Sequence, residues 1–367
     1  MTQGLILDYL DFHPTVAPEL QLAAHGAVIG RSRLGDRAAL GDYATVRADG
    51  ENIAIGPNAW FGDHATVHIA DQIRGAVVGR DVSVARYGIV HACTLGDNVV
   101  IGESSIVMDG ASVGDHALLA ADSVVPPRKA LPGGFVYSGH PAKPVRPIRP
   151  DEVARAGAAL RKGDPPEELR SARLPAWRAA VQGLADAPGG PLHALHGQSP
   201  QVVNAFVAPT AIVAGDVNLA DDASVFFGCA VVAGDGRIAI GRRTNVQDNC
   251  ILATDRRRGD LVLEDGVTIG HNVVLGAGRI GDDALIGMGS RIADGVVVEP
   301  GACIGAGAWV EPGTVVRAGW IWAGRPAREF RPLKPEERAE FARAREIYVT
   351  YSSDYRRPRG QGLGTRG

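Results

Sequence analysis

Val82-Ser83-Val84-Ala85-Arg86-Tyr87-Gly88-Ile89-Val90-His91-Ala92-Cys93 has a counterpart 185 positions later, Val267-Thr268-Ile269-Gly270-His271-Asn272-Val273-Val274-Leu275-Gly276-Ala277-Gly278. Histidines alternate between the copies: Arg86 aligns with His271, and His91 with Gly276. At the same offset Phe61-Gly62-Asp63-His64-Ala65-Thr66-Val67-His68 aligns with Val246-Gln247-Asp248-Asn249-Cys250-Ile251-Leu252-Ala253. The first copy thus carries His68 and His91 and the second only His271. Three imidazoles make a catalytic zinc set with one position open for water, here divided between two copies.

A constant internal offset marks a duplicated domain. From Ile89, counting in sixes reaches Leu95, Ile101, Val107, Val113, Leu119 and Val125; from Val274 it reaches Ile280, Ile286, Ile292, Val298, Ile304, Val310 and Val316. A helix would show a period of 3.6 and a single strand a period of 2. A period of six, with small residues such as Ser105, Ala111, Ala284 and Ser290 four places on, describes short strands and turns stacked as a solenoid, three hexads to a triangular coil. The 48 glycines suit its tight turns.

A net charge of -3 offers no general attraction for nucleic acid or an anionic membrane. The N-terminal residues show no basic and apolar leader, and no stretch is long enough to span a bilayer, so a cytoplasmic protein is expected. Cys93, Cys229, Cys250 and Cys303 lack paired spacing and read as small apolar fillers. Pro335 to Tyr355 sets Phe341, Tyr348, Tyr351 and Tyr355 at helical spacing, predicting an amphipathic helix along the second solenoid. Asp164-Pro165 reads as the start of a helix through Trp177, Val181 and Leu184, and Ala187 to Pro200 as a flexible linker.

The hexad pattern resembles the hexapeptide-repeat left-handed parallel β-helix, across roughly residues 27–126 and 211–319. Gly139-His140-Pro141-Ala142-Lys143 and Gly324-Arg325-Pro326-Ala327-Arg328 resemble the exit such chains use on leaving the last coil. Val46-Arg47-Ala48-Asp49, Asn245-Val246-Gln247-Asp248, Ile269-Gly270-His271 and Leu285-Ile286-Gly287-Met288-Gly289 are similar to segments of the γ-class carbonic anhydrases. The expected organisation is a first β-helix over 1–148, a helical or flexible linker over 149–200, a second β-helix over 201–330, and a terminal helix and tail over 331–367.

The resemblance implies a trimer with zinc between subunits, two histidines from one subunit and the third from its neighbour, and hydration of carbon dioxide to bicarbonate as the lyase reaction. Carried over, His68 and His91 are the same-subunit pair and His271 the donor across an interface. Arg47, Gln247, Asp63 and Asp248 are the polar residues implied to act with them; Arg47 aligns with Ala233 after a one-residue slip, and Gln247 with Gly62. Neither copy is a complete unit. Two other readings are a catalytically inactive scaffold subunit, favoured by the ligands missing from each copy, and an acyltransferase using coenzyme A. For the latter, the basic excursion Asp255-Arg256-Arg257-Arg258-Gly259 is the one feature of note.

Overall fold

Short strands separated by corners fill both copies, each strand pairing in parallel with the equivalent strand one coil on. The computed structural model describes residues 4–172, 174–175, 180–181, 184 and 190–357. The second copy forms three parallel stacks, one of them running through Ile212–Ala214, Ala230–Val232, Ile251–Ala253, Val274–Leu275, Arg291–Ile292 and Trp309–Val310. In the first copy Ala27–Leu34 and Thr45–Ile55 continue round a corner and join two faces into one 12-stranded sheet; the third face has eight strands. The protein is a tandem pair of left-handed parallel β-helices. Antiparallel pairing closes each stack at the two exit motifs, Phe135–Gly139 with Ala142–Pro147 and Trp320–Gly324 with Ala327–Pro332.

Aliphatic side chains one coil apart stack inside each triangle and supply the apolar burial that offsets chain ordering. Corner carboxylates satisfy backbone donors that no strand reaches: Asp115 accepts from the Asp97 N–H at 2.8 Å, and Asp97 from the Arg80 N–H at 3.0 Å. The six-residue count fails at its first member in both copies. Val90 and Leu275 point inward, whereas Ile89 and Val274 pack outside the triangle. The cause is a short coil: Ile89 pairs with Ile106, 17 residues on, whereas Ile106 pairs with Val124, 18 on.

The solenoids lie side by side, a face of the first against a corner of the second. Ile89, Ile106 and Val124 form an apolar seam with Met108 and Met288. Gly289 and Gly307, both at positive φ, make the approach possible, because a Cβ at Gly289 would lie 2.6 Å from Ile106 Cδ1 and one at Gly307 3.0 Å from Val124 Cγ2. A polar strip runs beside them: the Asn249 amide donates to Thr66 Oγ1 at 2.9 Å, Thr66 to Asn272 Oδ1 at 2.7 Å, and the Asn272 amide to the His64 carbonyl at 2.8 Å.

Duplication extends beyond the solenoid. Arg146 grips Glu152 with two hydrogen bonds at 2.9 and 2.6 Å, and 185 residues later Arg331 grips Glu337 at 2.8 and 2.6 Å; each glutamate also accepts a backbone N–H at the start of a helix. The first helix, Glu152–Arg161, stops at Lys162 and Gly163, the latter at φ 77°. Its counterpart Pro335–Arg356 continues for 22 residues, with Tyr348 at the position equivalent to Gly163. The helix expected from Asp164 does not start there: a three-residue 3-10 turn, Glu167–Leu169, ends in extended Arg170, and among the described residues further on Ala180 and Val181 are helical. Pro166 disfavours helical geometry at the residue before it. Trp177 lies outside the described residues, as does 187–189 of the expected linker. Further along that linker Leu192–His193 is a strand paired with Val213 and Ala214.

The long helix docks as expected on the second solenoid, with Tyr348 and Tyr351 buried in its core cluster and Phe341 against Leu285 and Cys303. It also reaches the first, where Tyr351 donates to Asp71 at 2.8 Å and Tyr355 bonds Asp49. Deleting the residues after Lys334 is expected to lower stability by several kcal/mol, since each buried aromatic brings roughly 1.5–3 kcal/mol. A thermal melt unchanged by the truncation would contradict this docking.

Candidate metal centre

Arg47, His68 and His91 are successive rungs of one ladder on the first solenoid. Their neighbours Val46, Val67 and Val90 point into the core, so by strand alternation these three side chains point outward at the second solenoid. There the chain turns a corner after Asn245–Val246, presenting Gln247 and Asp248, and one coil later after Thr268–Ile269, presenting His271. The three histidines converge within a single chain. One ligand atom from each lies within 4.8 Å of the others, and the ring centroids are 4.8 Å apart for His68 and His271 and 5.3 Å for the other two pairs. His68 Nδ1 lies 3.3 Å from His91 Nε2.

Carboxylates set two of the rings. His91 Nδ1–H donates to Asp109 Oδ1 at 2.5 Å. His271 Nδ1 lies 3.1 Å from Asp248 Oδ2, though not aligned as a hydrogen bond. Such contacts hold a ring so that its other nitrogen can serve as ligand. His271 Nε2 and His68 Nε2 are buried and have no hydrogen-bond partner, a costly arrangement that a cation would relieve. Burial lowers His68 well below the usual histidine range, helped by Arg47, and lowers His271 to about 4 against the pull of Asp248, so both rings are neutral donors at pH 7. Three imidazoles within reach of one another fit zinc.

Arg47 is fully buried at the seam. Its guanidinium lies 2.9 Å from Asp248 of the second solenoid, bonds Asp49 of the first, and donates to the Tyr348 hydroxyl at 3.2 Å. Burial works against its charge, but Asp248 and Asp49 outweigh burial and hold its pKa above the ordinary value. Asp248, which burial alone would raise, is held low by Arg47 and His271, whereas burial carries Asp49 up to about 6 despite Arg47.

Of the other expected residues, Gln247 is buried beside Asp248 and donates to Asn245 Oδ1 at 3.2 Å. Asp63, which aligns with Asp248, is instead exposed and accepts from the Asp42 N–H at 3.0 Å. Arg86, which aligns with His271, forms hydrogen bonds at 2.9 and 2.6 Å to buried Glu103. Sequence reasoning missed Asp109 and Tyr348. Asp109 lies 18 residues beyond His91, one past the position level with it in this 17-residue coil, so counting coils from His91 leads to Met108 and the carboxylate is reached only through the short coil. For Tyr348 no such signal exists, because helix docking brings it in.

The fold and the three imidazoles define a hexapeptide-repeat protein with a candidate metal site. Residues 93–126 match the family model described as hexapeptide repeat of succinyl-transferase, and residues 279–312 the bacterial transferase hexapeptide (six repeats). The chain is 40% identical over 161 residues to the carbonic anhydrase of Geobacillus kaustophilus, covering 88% of that protein and 44% of this one. It is 34% identical over 152 residues to Protein YrdA of Escherichia coli, covering 83% of that protein and 40% of this one. With the mitochondrial gamma carbonic anhydrase 2 of Arabidopsis thaliana it shares 36% identity over 153 residues, 40% of this chain and 55% of the relative, so the match spans about half of that protein's length. A crystal structure of a putative acetyltransferase from Desulfovibrio desulfuricans shares the fold, with TM-score 0.51, 13% identity and coverage of 96% of this chain and 82% of that one. The chain belongs to the γ-carbonic-anhydrase-like family of hexapeptide-repeat proteins.

Two outcomes follow from the buried charges. Arg47→Met strands Asp248 and Asp49 without their cation and is expected to cost about 3–5 kcal/mol in chemical denaturation at neutral pH. Acidification acts through His68 and His271: with folded values below the ordinary 6.5, their contribution is complete above that pH and is lost as pH falls towards 4. Asp49 acts in the opposite sense, one group against two. The melting temperature of chelator-treated protein is expected to fall between pH 7 and 5, and to fall less in His271→Asn.

Proposed function

We propose that the protein is a zinc-dependent lyase that hydrates carbon dioxide reversibly at one composite site per chain. The observation that carries this reading is the convergence of His68, His91 and His271, two of them with orphaned buried nitrogens, in a chain similar to carbonic anhydrases. His68 and His91 hold zinc from the first solenoid and His271 from the second. Zinc, when bound, supplies the Lewis acidity that brings a water molecule's pKa to near neutrality.

The chain's own groups do the rest. Asp109 keeps the His91 proton on Nδ1, and the charge of Asp248, 3.1 Å from His271 Nδ1, favours the proton on that nitrogen too. Arg47 keeps Asp248 ionised and locks the two solenoids at the spacing the ligands need. Gln247, held by Asn245, is the side chain assigned to orient the attacking water. Asp63 has no part in the site, since its exposed carboxylate caps a corner. The homotrimer implied by the resemblance is not needed to complete the ligand set, because one chain supplies both sides of the interface.

His91→Ala and His271→Ala are each expected to abolish both bound zinc and carbon dioxide hydration, while Arg86→Ala keeps both. Metal content and stopped-flow hydration on protein purified without added zinc or chelator check this. If either histidine variant retains its metal, the composite site is wrong. Wild-type protein without metal or hydration would leave the scaffold reading.

A further inference from the structure

The contact between the two solenoids is heterologous: a face of the first copy, carrying His68 and His91, meets a corner of the second, carrying His271. Heterologous contacts repeat into rings or filaments whenever the complementary surfaces are left free. Here those surfaces are the equivalent face of the second copy, with Ala253 and Gly276 at the ligand positions, and the equivalent corner of the first, with Arg86.

The chain between the copies packs on both. On the second copy's face, Ile212, Ala230, Val232 and Ile251 are buried in one cluster with Val181 of the segment and Tyr43 of the first copy, against which Leu184 and Leu195 also pack. At the first copy's corner the Glu103 N–H donates to the Leu169 carbonyl at 3.0 Å and the Ala121 N–H to the Glu168 carbonyl at 2.8 Å. The Ser171 N–H donates to Glu103 Oε2 at 2.9 Å and its hydroxyl to Asp122 at 3.0 Å. Leu169 is wholly buried there, with Ala85 and Val100 in the same cluster.

We infer that the segment between the copies acts as a built-in stopper: its described residues 168–171, 181, 184 and 195 occupy parts of the two surfaces through which further solenoids would add and so close the contact after a single pair. It also accounts for which ligands are missing. Ala253 packs against the cluster that holds Val181 of the segment, and Arg86 is bonded to Glu103, which accepts from Ser171 of the segment, whereas His68, His91 and His271 stand where solenoid meets solenoid. The inference rests on packing alone and stands or falls independently of metal binding.

Light scattering of the full-length chain across the micromolar range is the test, with the mass of one chain expected throughout. If the particle contains several chains, Ile251→Arg, beneath the segment, locates the contact. A multichain particle that falls to single chains in Ile251→Arg, with circular dichroism unchanged, overturns the inference. One that keeps its mass in the variant assembles through another surface and upholds it. Should Ile251→Arg fail to fold, Arg86→Glu at the half-exposed corner makes the same distinction.

Discussion

The ion pair between Arg47 and Asp248 is the constraint on which the rest depends. A guanidinium with no exposure to water is tolerated only when carboxylates surround it. Its two carboxylates come from different copies and its hydroxyl partner from the terminal helix. Moving either solenoid would therefore leave a buried charge unpaired, and moving the helix would take away a hydroxyl partner. The cluster lies beside the histidines, with His68 on the next rung and His271 against Asp248, so the same charges that register the two copies also orient the candidate ligands.

Duplication supplied two equivalent surfaces for each role, and the copies have since divided the work. In the first, Asp63 remains at the corner, exposed, while its counterpart Asp248 is buried and paired; Gly163 ends one helix where Tyr348 extends the other. These differences are physical consequences of environment. A corner that faces another solenoid needs glycine at Gly289 and Gly307 for close approach and a carboxylate to meet Arg47. A corner that faces the connecting segment needs hydrogen-bond donors and acceptors, and there Arg86 and Glu103 serve.

Much of this was legible in the chain. Stacked coils obey a short-range rule, one inward aliphatic every six residues, because each side chain must meet its equivalent a coil away. The rule found both solenoids, and it failed at Ile89 and Val274, where a coil is one residue short and the side chain turns outward to a partner surface instead. The helix start expected at Asp164 failed for a comparable reason. Capping signals describe a local preference, and here Pro166 and the burial of Leu169 against the first solenoid favoured a single 3-10 turn.

By itself the sequence determined the period, the duplication, the fold of each half and which copy keeps which histidine, because these depend on contacts at fixed separations along the chain. That His68, His91 and His271 meet within one chain was decided by tertiary structure alone. Their convergence depends on a buried ion pair linking residues 47 and 248, on glycine corners that admit a neighbouring face, and on a helix whose tyrosines reach across to the other copy. Contacts at those separations leave no periodic trace, so no reading of spacing could have chosen between a partner in the same chain and one in another.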